Sequence, residues 1–114
     1  MQIDKTLRDM IAVRRPAFSK TEKRWIRQFL TPLGLQADSF GNLYKRIGES
    51  SVLFSCHTDT VHRSGGVQAI DTDSAGVIRL AKREKESNCL GADDTSGVWL
   101  MWNMIRANKP GLYV

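Results

Sequence analysis

The apolar residues change their spacing at Gly34, and that change limits the folds open to this chain. Upstream the spacing is helical. Leu7, Met10 and Ile11 recur at three and four residues, Ile3 extends the series, and Pro16 closes the segment. Ser19-Lys20-Thr21-Glu22 then reads as a capping box. The Ser19 hydroxyl accepts from the Glu22 amide, and the Glu22 carboxylate is expected to reach back to the Ser19 amide. The helix it opens carries Trp25, Ile26, Phe29, Leu30 and Leu33 on one side, and Pro32 with Gly34 marks its end.

Downstream the runs are too short for helices. The pattern predicts a short strand over 35–39, a turn at Gly41-Asn42 and a strand with alternating faces over 43–47. The continuous apolar run 52–56 predicts a strand buried on both faces, and His57 falls at its carboxyl end, where open α/β sheets place ligands. Two more strands are expected over 67–70 and 77–81, joined around 71–76. The last helix begins at Asp93-Asp94-Thr95-Ser96, with Val98, Met101, Trp102 and Ile105 on its buried stripe. Asn108, Pro110 and Gly111 stop it, and Leu112-Tyr113-Val114 opens another strand. Helices, then strands, then a strand–loop–helix predict an α/β sandwich with a mixed sheet, in a single domain spanning 1–114.

Charge and cysteine content exclude several classes of function. The chain carries 17 basic and 12 acidic residues, a net charge of +5. Its basic clusters, Arg14-Arg15, 20–27, Lys45-Arg46 and 82–85, lie on separate predicted elements, and Glu22, Glu84 and Glu86 interrupt two of them. That is a solvated surface, not a nucleic-acid interface. No apolar stretch is long enough to span a bilayer, and no signal-peptide core is present, so neither a membrane nor secretion is expected. Cys56 and Cys89 are the only cysteines, with no CxxC, which points to reduced thiols in a cytoplasm. Cys56 neighbours His57, so on a strand it faces the opposite way and reads as a small buried hydrophobe.

Two clusters carry chemistry. In His57-Thr58-Asp59, positions two apart on extended backbone project to one side, so Asp59 can brace the imidazole without itself holding a metal. In Gly91-Ala92-Asp93-Asp94, a carboxylate at the mouth of a helix can bridge two cations, and the helix amino terminus favours its negative charge. Alone, the first motif is commonly a solvated loop and the second an ordinary helix cap. In this order, after a strand and before a helix, they make the start of a two-metal hydrolytic site.

The phrases "HTDTV" and "LGADDTSGV" resemble the His-x-Asp-x-Val and Gly-Ala-Asp-Asp-x-x-Gly motifs of the co-catalytic zinc metallopeptidases. This is the M20/M28 clan of aminopeptidases, carboxypeptidases and deacylases, and the form is nearest its tripeptide aminopeptidase branch. The resemblance covers about residues 3–114. It implies a three-layer α/β/α sandwich of zinc-exopeptidase type and hydrolysis of peptide bonds by metal-activated water. It also implies that His57 ligates one zinc, that Asp59 orients it as the catalytic partner, and that Asp93 bridges two zinc ions across a cis Asp93–Asp94 peptide. His62 departs from the family, which often has proline there, and reads as a polar loop residue.

The family's Glu-Glu pair, further acidic ligand and carboxyl-terminal histidine have no counterpart among these residues. The expectation is therefore an amino-terminal portion of such an enzyme, with weak zinc binding and no peptidase activity alone. A peptide substrate would be turned over only if a second chain, or further sequence, carried the missing half. The alternative is a non-catalytic interaction module that keeps the fold and presents an open sheet edge.

Overall fold

Residues 4–114 are described by a computed structural model, in which three helices are fastened to one another through tryptophan. The helices are α1 (Lys5–Ile11), α2 (Lys20–Phe29) and α3 (Ala92–Arg106). Trp25 of α2 donates its ring N–H to the Met10 carbonyl of α1, and Trp102 of α3 donates to the Phe29 carbonyl of α2. Trp99 donates to the Asp4 carboxylate that caps α1. A buried indole needs such an acceptor, so each ring fills space and also sets the position of one helix on another. Met10, Trp25, Phe29, Leu30 and Val98 form the main buried cluster, with Val13, Leu33, Leu43 and Cys56 packed against it. Trp25 is only 1% exposed, and a ring so buried holds about 3–5 kcal/mol of stability.

The helical expectations hold with one change of partner and one of length, since Leu33 falls outside the second helix. Ile3 lies outside the described residues. Ser19 Oγ accepts the Glu22 amide as the capping box requires. The Glu22 carboxylate does not return to the Ser19 amide, which already donates to the Pro16 carbonyl. It accepts instead from the amide of Phe18, a residue in the left-handed region at φ 64°, and from the Thr58 hydroxyl. α2 stops at Phe29, and a 3-10 turn over Thr31–Leu33 carries the chain to Gly34 at φ 76°.

The strands fall into three small sheets. The largest has the order β2 (Gln36–Ala37), β3 (Leu43–Ile47), β8 (Gly111–Tyr113) and β4 (Leu53–Phe54). β3 runs antiparallel to β8 and β4 runs parallel to it, so the sheet is mixed, as the pattern implied. The domain is therefore a mixed α/β domain. Tyr113, Ile47 and Ile105 form a second buried cluster where β8 and β3 meet α3.

Two strand expectations are corrected. The run 52–56 is not buried on both faces: only Leu53–Phe54 forms strand, and among the described residues β8 pairs with just one of its edges. Val52 and Leu53 are consequently 47% and 60% exposed. The strand expected over 67–70 is divided. β5 (Gly66–Val67) pairs with β1 (Val13–Arg14), and β6 (Ile70–Thr72) forms a hairpin with β7 (Ile78–Leu80). The break falls at Gln68, whose amide donates to the Ala12 carbonyl and whose buried side chain bonds the Ile11 and Leu90 carbonyls. A polar side chain committed to the interior interrupts the alternation a longer strand would need. Among the described residues no helix is long and apolar enough to cross a membrane.

Candidate functional site

β4 and α3 bring the two motifs together. Cys56 packs against the main core cluster, while the next side chain, His57, emerges half exposed. The opposition of neighbouring side chains is that of extended backbone. The His57 ring is then held from one end: Nδ1 lies 2.8 Å from the Asp59 carbonyl and 3.3 Å from the Asp59 carboxylate. At the other end, Nε2 lies 3.0 Å from Oδ1 of Asp93, 36 residues away in sequence.

The two aspartates of the second motif do different things. Gly91 turns the chain at φ 83°, the Asp93–Asp94 peptide is cis, and neither aspartate has helical φ/ψ. Asp94 Oδ1 accepts the Gly97 amide, which is the work of a helix cap. The Asp94 carboxylate occupies the space a Cβ on residue 97 would need, which explains the glycine there. Asp93 is left free of this duty and its side chain is 93% exposed, facing His57. The cap reading and the ligand reading of the Asp-Asp pair thus describe two neighbouring residues.

The donor set favours a positive charge at this point. With Nδ1–H donated to the Asp59 carbonyl, the Nε2 lone pair faces a carboxylate oxygen, and two acceptors at 3.0 Å need a proton or a cation between them. Burial by itself lowers the His57 pKa, but the bonds to Asp93 and the Asp59 carbonyl, with the charges of Asp59 and Asp94, outweigh it and the net direction is up. A divalent cation suits the same place, with neutral imidazole and carboxylate as donors and Asp59 behind the ring. Only two side chains face it, and among the described residues no three His, Cys, Asp or Glu side chains group to hold a metal ion. Zinc takes three or four protein ligands, so the residues present fit half of such a site.

Three neighbours escaped the sequence reading. Glu22, which in sequence reads as a cap residue within a charged surface stretch, accepts the Thr58 hydroxyl at 2.8 Å and ties α2 to the loop between His57 and Asp59. Arg15, part of a basic stretch whose pattern predicts solvated surface, is fully buried. His62 is a buried residue, 5% exposed, not a solvated loop side chain. Its Nε2–H faces the Gln68 side-chain oxygen and the Cys89 carbonyl, and its Nδ1 faces the Thr60 hydroxyl. Burial leads the causes that lower its pKa. The repeated Thr at 58, 60 and 95 was the available signal, because short hydroxyl side chains beside charged groups in a compact turn serve as internal hydrogen-bond partners.

Both cysteines are free and partly buried. Burial, then the charge of Asp94, pushes the Cys56 thiol up to about 11, so it is a packing residue and not a thiolate. An apolar cleft of about 530 Å³ borders His57 and Asp59, with Ile26, Leu35 and Trp102 among its walls. The exposed rings of Phe18 and Phe40 also line it, offering apolar ground beside the polar cluster. Comparison with protein-family models, curated proteins and solved structures gives no match to this chain.

Proposed function

We propose that this chain forms the amino-terminal half of a di-zinc metallopeptidase site, of the exopeptidase type that its two motifs resemble. The observation that carries the reading is the meeting of His57 Nε2 with Asp93 Oδ1 at 3.0 Å, with the far side of the ring held by Asp59. His57 and Asp93 are the metal-facing side chains. Asp59 fixes the tautomer that leaves the Nε2 lone pair free for a metal, and Asp94 holds the helix start that presents Asp93. Zinc, when bound, supplies Lewis-acid polarisation of a peptide carbonyl. The general base and remaining ligands would come from residues beyond these 114, in the same polypeptide or in a second chain. The finer fold proposed with this reading is the three-layer α/β/α sandwich of zinc exopeptidases, in a cytoplasmic setting.

The test is calorimetric titration of the 114-residue chain with zinc. Two protein ligands support an affinity no tighter than about 1 μM. Both His57→Ala and Asp93→Ala should abolish it while the circular dichroism spectrum stays unchanged. Zinc affinity indifferent to both substitutions would remove the reading. One observation favours a second reading, an interaction module: among the described residues β4 leaves an open sheet edge, with Leu53 on it and Val52 beside it exposed. Indifference to His57 and Asp93 would leave that alternative standing.

A further inference from the structure

Arg15 is a cation with 0% exposure and no carboxylate within ion-pair distance among the described residues. Burying a charge in this way is costly unless its donors are satisfied. Here they are spent on three separate parts of the chain. Nη1 donates to the carbonyls of Met10 in α1 and Val13 in β1, both at 3.0 Å. Nε donates at 2.9 Å to the carbonyl of Thr58, the residue between His57 and Asp59. Nη2 donates at 2.6 Å to the hydroxyl of Thr95, the residue that follows Asp93-Asp94. Thr95 passes its own proton to the Gly91 carbonyl, on the near side of the same turn. The guanidinium carbon lies over the Trp25 ring, 3.8 Å from its centroid, and the backbone N–H and C=O of Arg15 both bond Thr60.

We infer that Arg15 is a positioning residue for the candidate metal site: its planar fork sets the distance between the His57–Asp59 loop and the Asp93–Asp94 turn. The inference rests on the half-site reading above for its function, but its geometry stands apart from it. A guanidinium offers donors in fixed directions from one plane, and the two segments take two different donors of that plane, Nε and Nη2. Lysine keeps the charge and most of the stem but concentrates its donors on one atom, which cannot reach both the Thr58 carbonyl and the Thr95 hydroxyl in the same geometry. Burial lowers the Arg15 pKa to about 10, against the charges of Glu22 and Asp59, so the group stays protonated at neutral pH. Arg15 touches neither His57 nor Asp93 in the bonds above, so its effect on them is transmitted through backbone.

The experiment compares Arg15→Lys, Thr95→Val and, as a control in the second core cluster, Ile47→Ala. In metal-free protein, amide spectra of Arg15→Lys should show displaced resonances both at residues 57–60 and at 92–97. Thr95→Val, which leaves the arginine in place, should also displace the amides at 57–59. Ile47→Ala should move neither set while lowering the urea midpoint. In zinc titrations Arg15→Lys should weaken binding about tenfold, the range of outer-shell partners, whereas Ile47→Ala should leave it unchanged. Amides that stay in place at either segment in Arg15→Lys and at 57–59 in Thr95→Val overturn the inference. So does an unchanged affinity in Arg15→Lys when the wild-type affinity depends on His57. If wild-type zinc binding ignores His57, the metal reading fails, and the metal-free spectra still decide whether Arg15 couples the two segments. Should Arg15→Lys not fold, the Thr95→Val spectrum carries the decision.

Discussion

Substituting Gly91 with alanine separates backbone strain from steric conflict at the turn that presents Asp93. Gly91 sits at φ 83°, where an L side chain costs about 1–2 kcal/mol whatever the space around it. Its Cβ would also lie 2.7 Å from Cε1 of His62 and 3.2 Å from Cγ2 of Thr60. His62 has little freedom to yield, because Thr60, Gln68 and Cys89 hold both ring nitrogens. Inserting a methyl into a packed site costs about 1–3 kcal/mol, so Gly91→Ala should lose about 2–5 kcal/mol in all. Gly41 gives the reference: at φ 90° it has the same backbone problem, with nothing within 4 Å of a built Cβ. Gly41→Ala should therefore lose only the strain, about 1–2 kcal/mol. Urea unfolding followed by tryptophan fluorescence would measure both, compared at a common slope. Adding His62→Ala to Gly91→Ala should show a favourable coupling, since the obstructing ring is gone. Losses for Gly91→Ala and Gly41→Ala that agree within about 0.5 kcal/mol would refute the account of His62 as a wedge against the turn.

The two histidines titrate in opposite directions on folding. His62 has a lowered folded pKa, so its contribution is full above the unfolded value near 6.5 and is lost as pH falls from there towards the folded value, by at most about 1.4 kcal/mol per pH unit. His57 has a raised folded pKa, so its contribution is present below about 6.5 and is lost as pH rises through the folded value, with a size reduced by its exposure to solvent. Urea midpoints from pH 5 to 8 should show His57→Ala removing the alkaline loss and His62→Gln removing the acid one; identical profiles for both variants would contradict the assignment. Cys56, pushed up to about 11, leaves about one thiol in a thousand ionised at pH 8. Peptide mapping after iodoacetamide should find it labelled far more slowly in native protein than in urea, and a native rate within about twofold of the urea rate would show it is not shielded.

Local chemistry was legible where residues act on near neighbours in the chain. The Ser19 cap, the Gly34 turn, the period of α2 and the opposed faces of Cys56 and His57 all follow from spacings of a few residues. The separation of Asp93 from Asp94 was half visible: an aspartate three residues before Gly97 is a cap, and its neighbour is then spare. What spacing could not tell was which charged residues lie inside. Arg15 and Glu22 belong to basic and mixed stretches that read as surface, and His62 reads as loop.

Sequence by itself therefore determined the helices, most of the strands, the mixed α/β class and the two motifs, because helix caps, turns and side-chain alternation depend on contacts within a few residues. Tertiary structure alone decided that β4 is an edge strand among the described residues and that residues 67–70 are divided. It also brought His57 to Asp93 and buried Arg15 between the segments that carry them. Each of these depends on partners tens of residues away. Whether a polar group is buried is settled by the donors and acceptors that meet it there: Arg15 stays inside because Met10, Val13, Thr58 and Thr95 satisfy it.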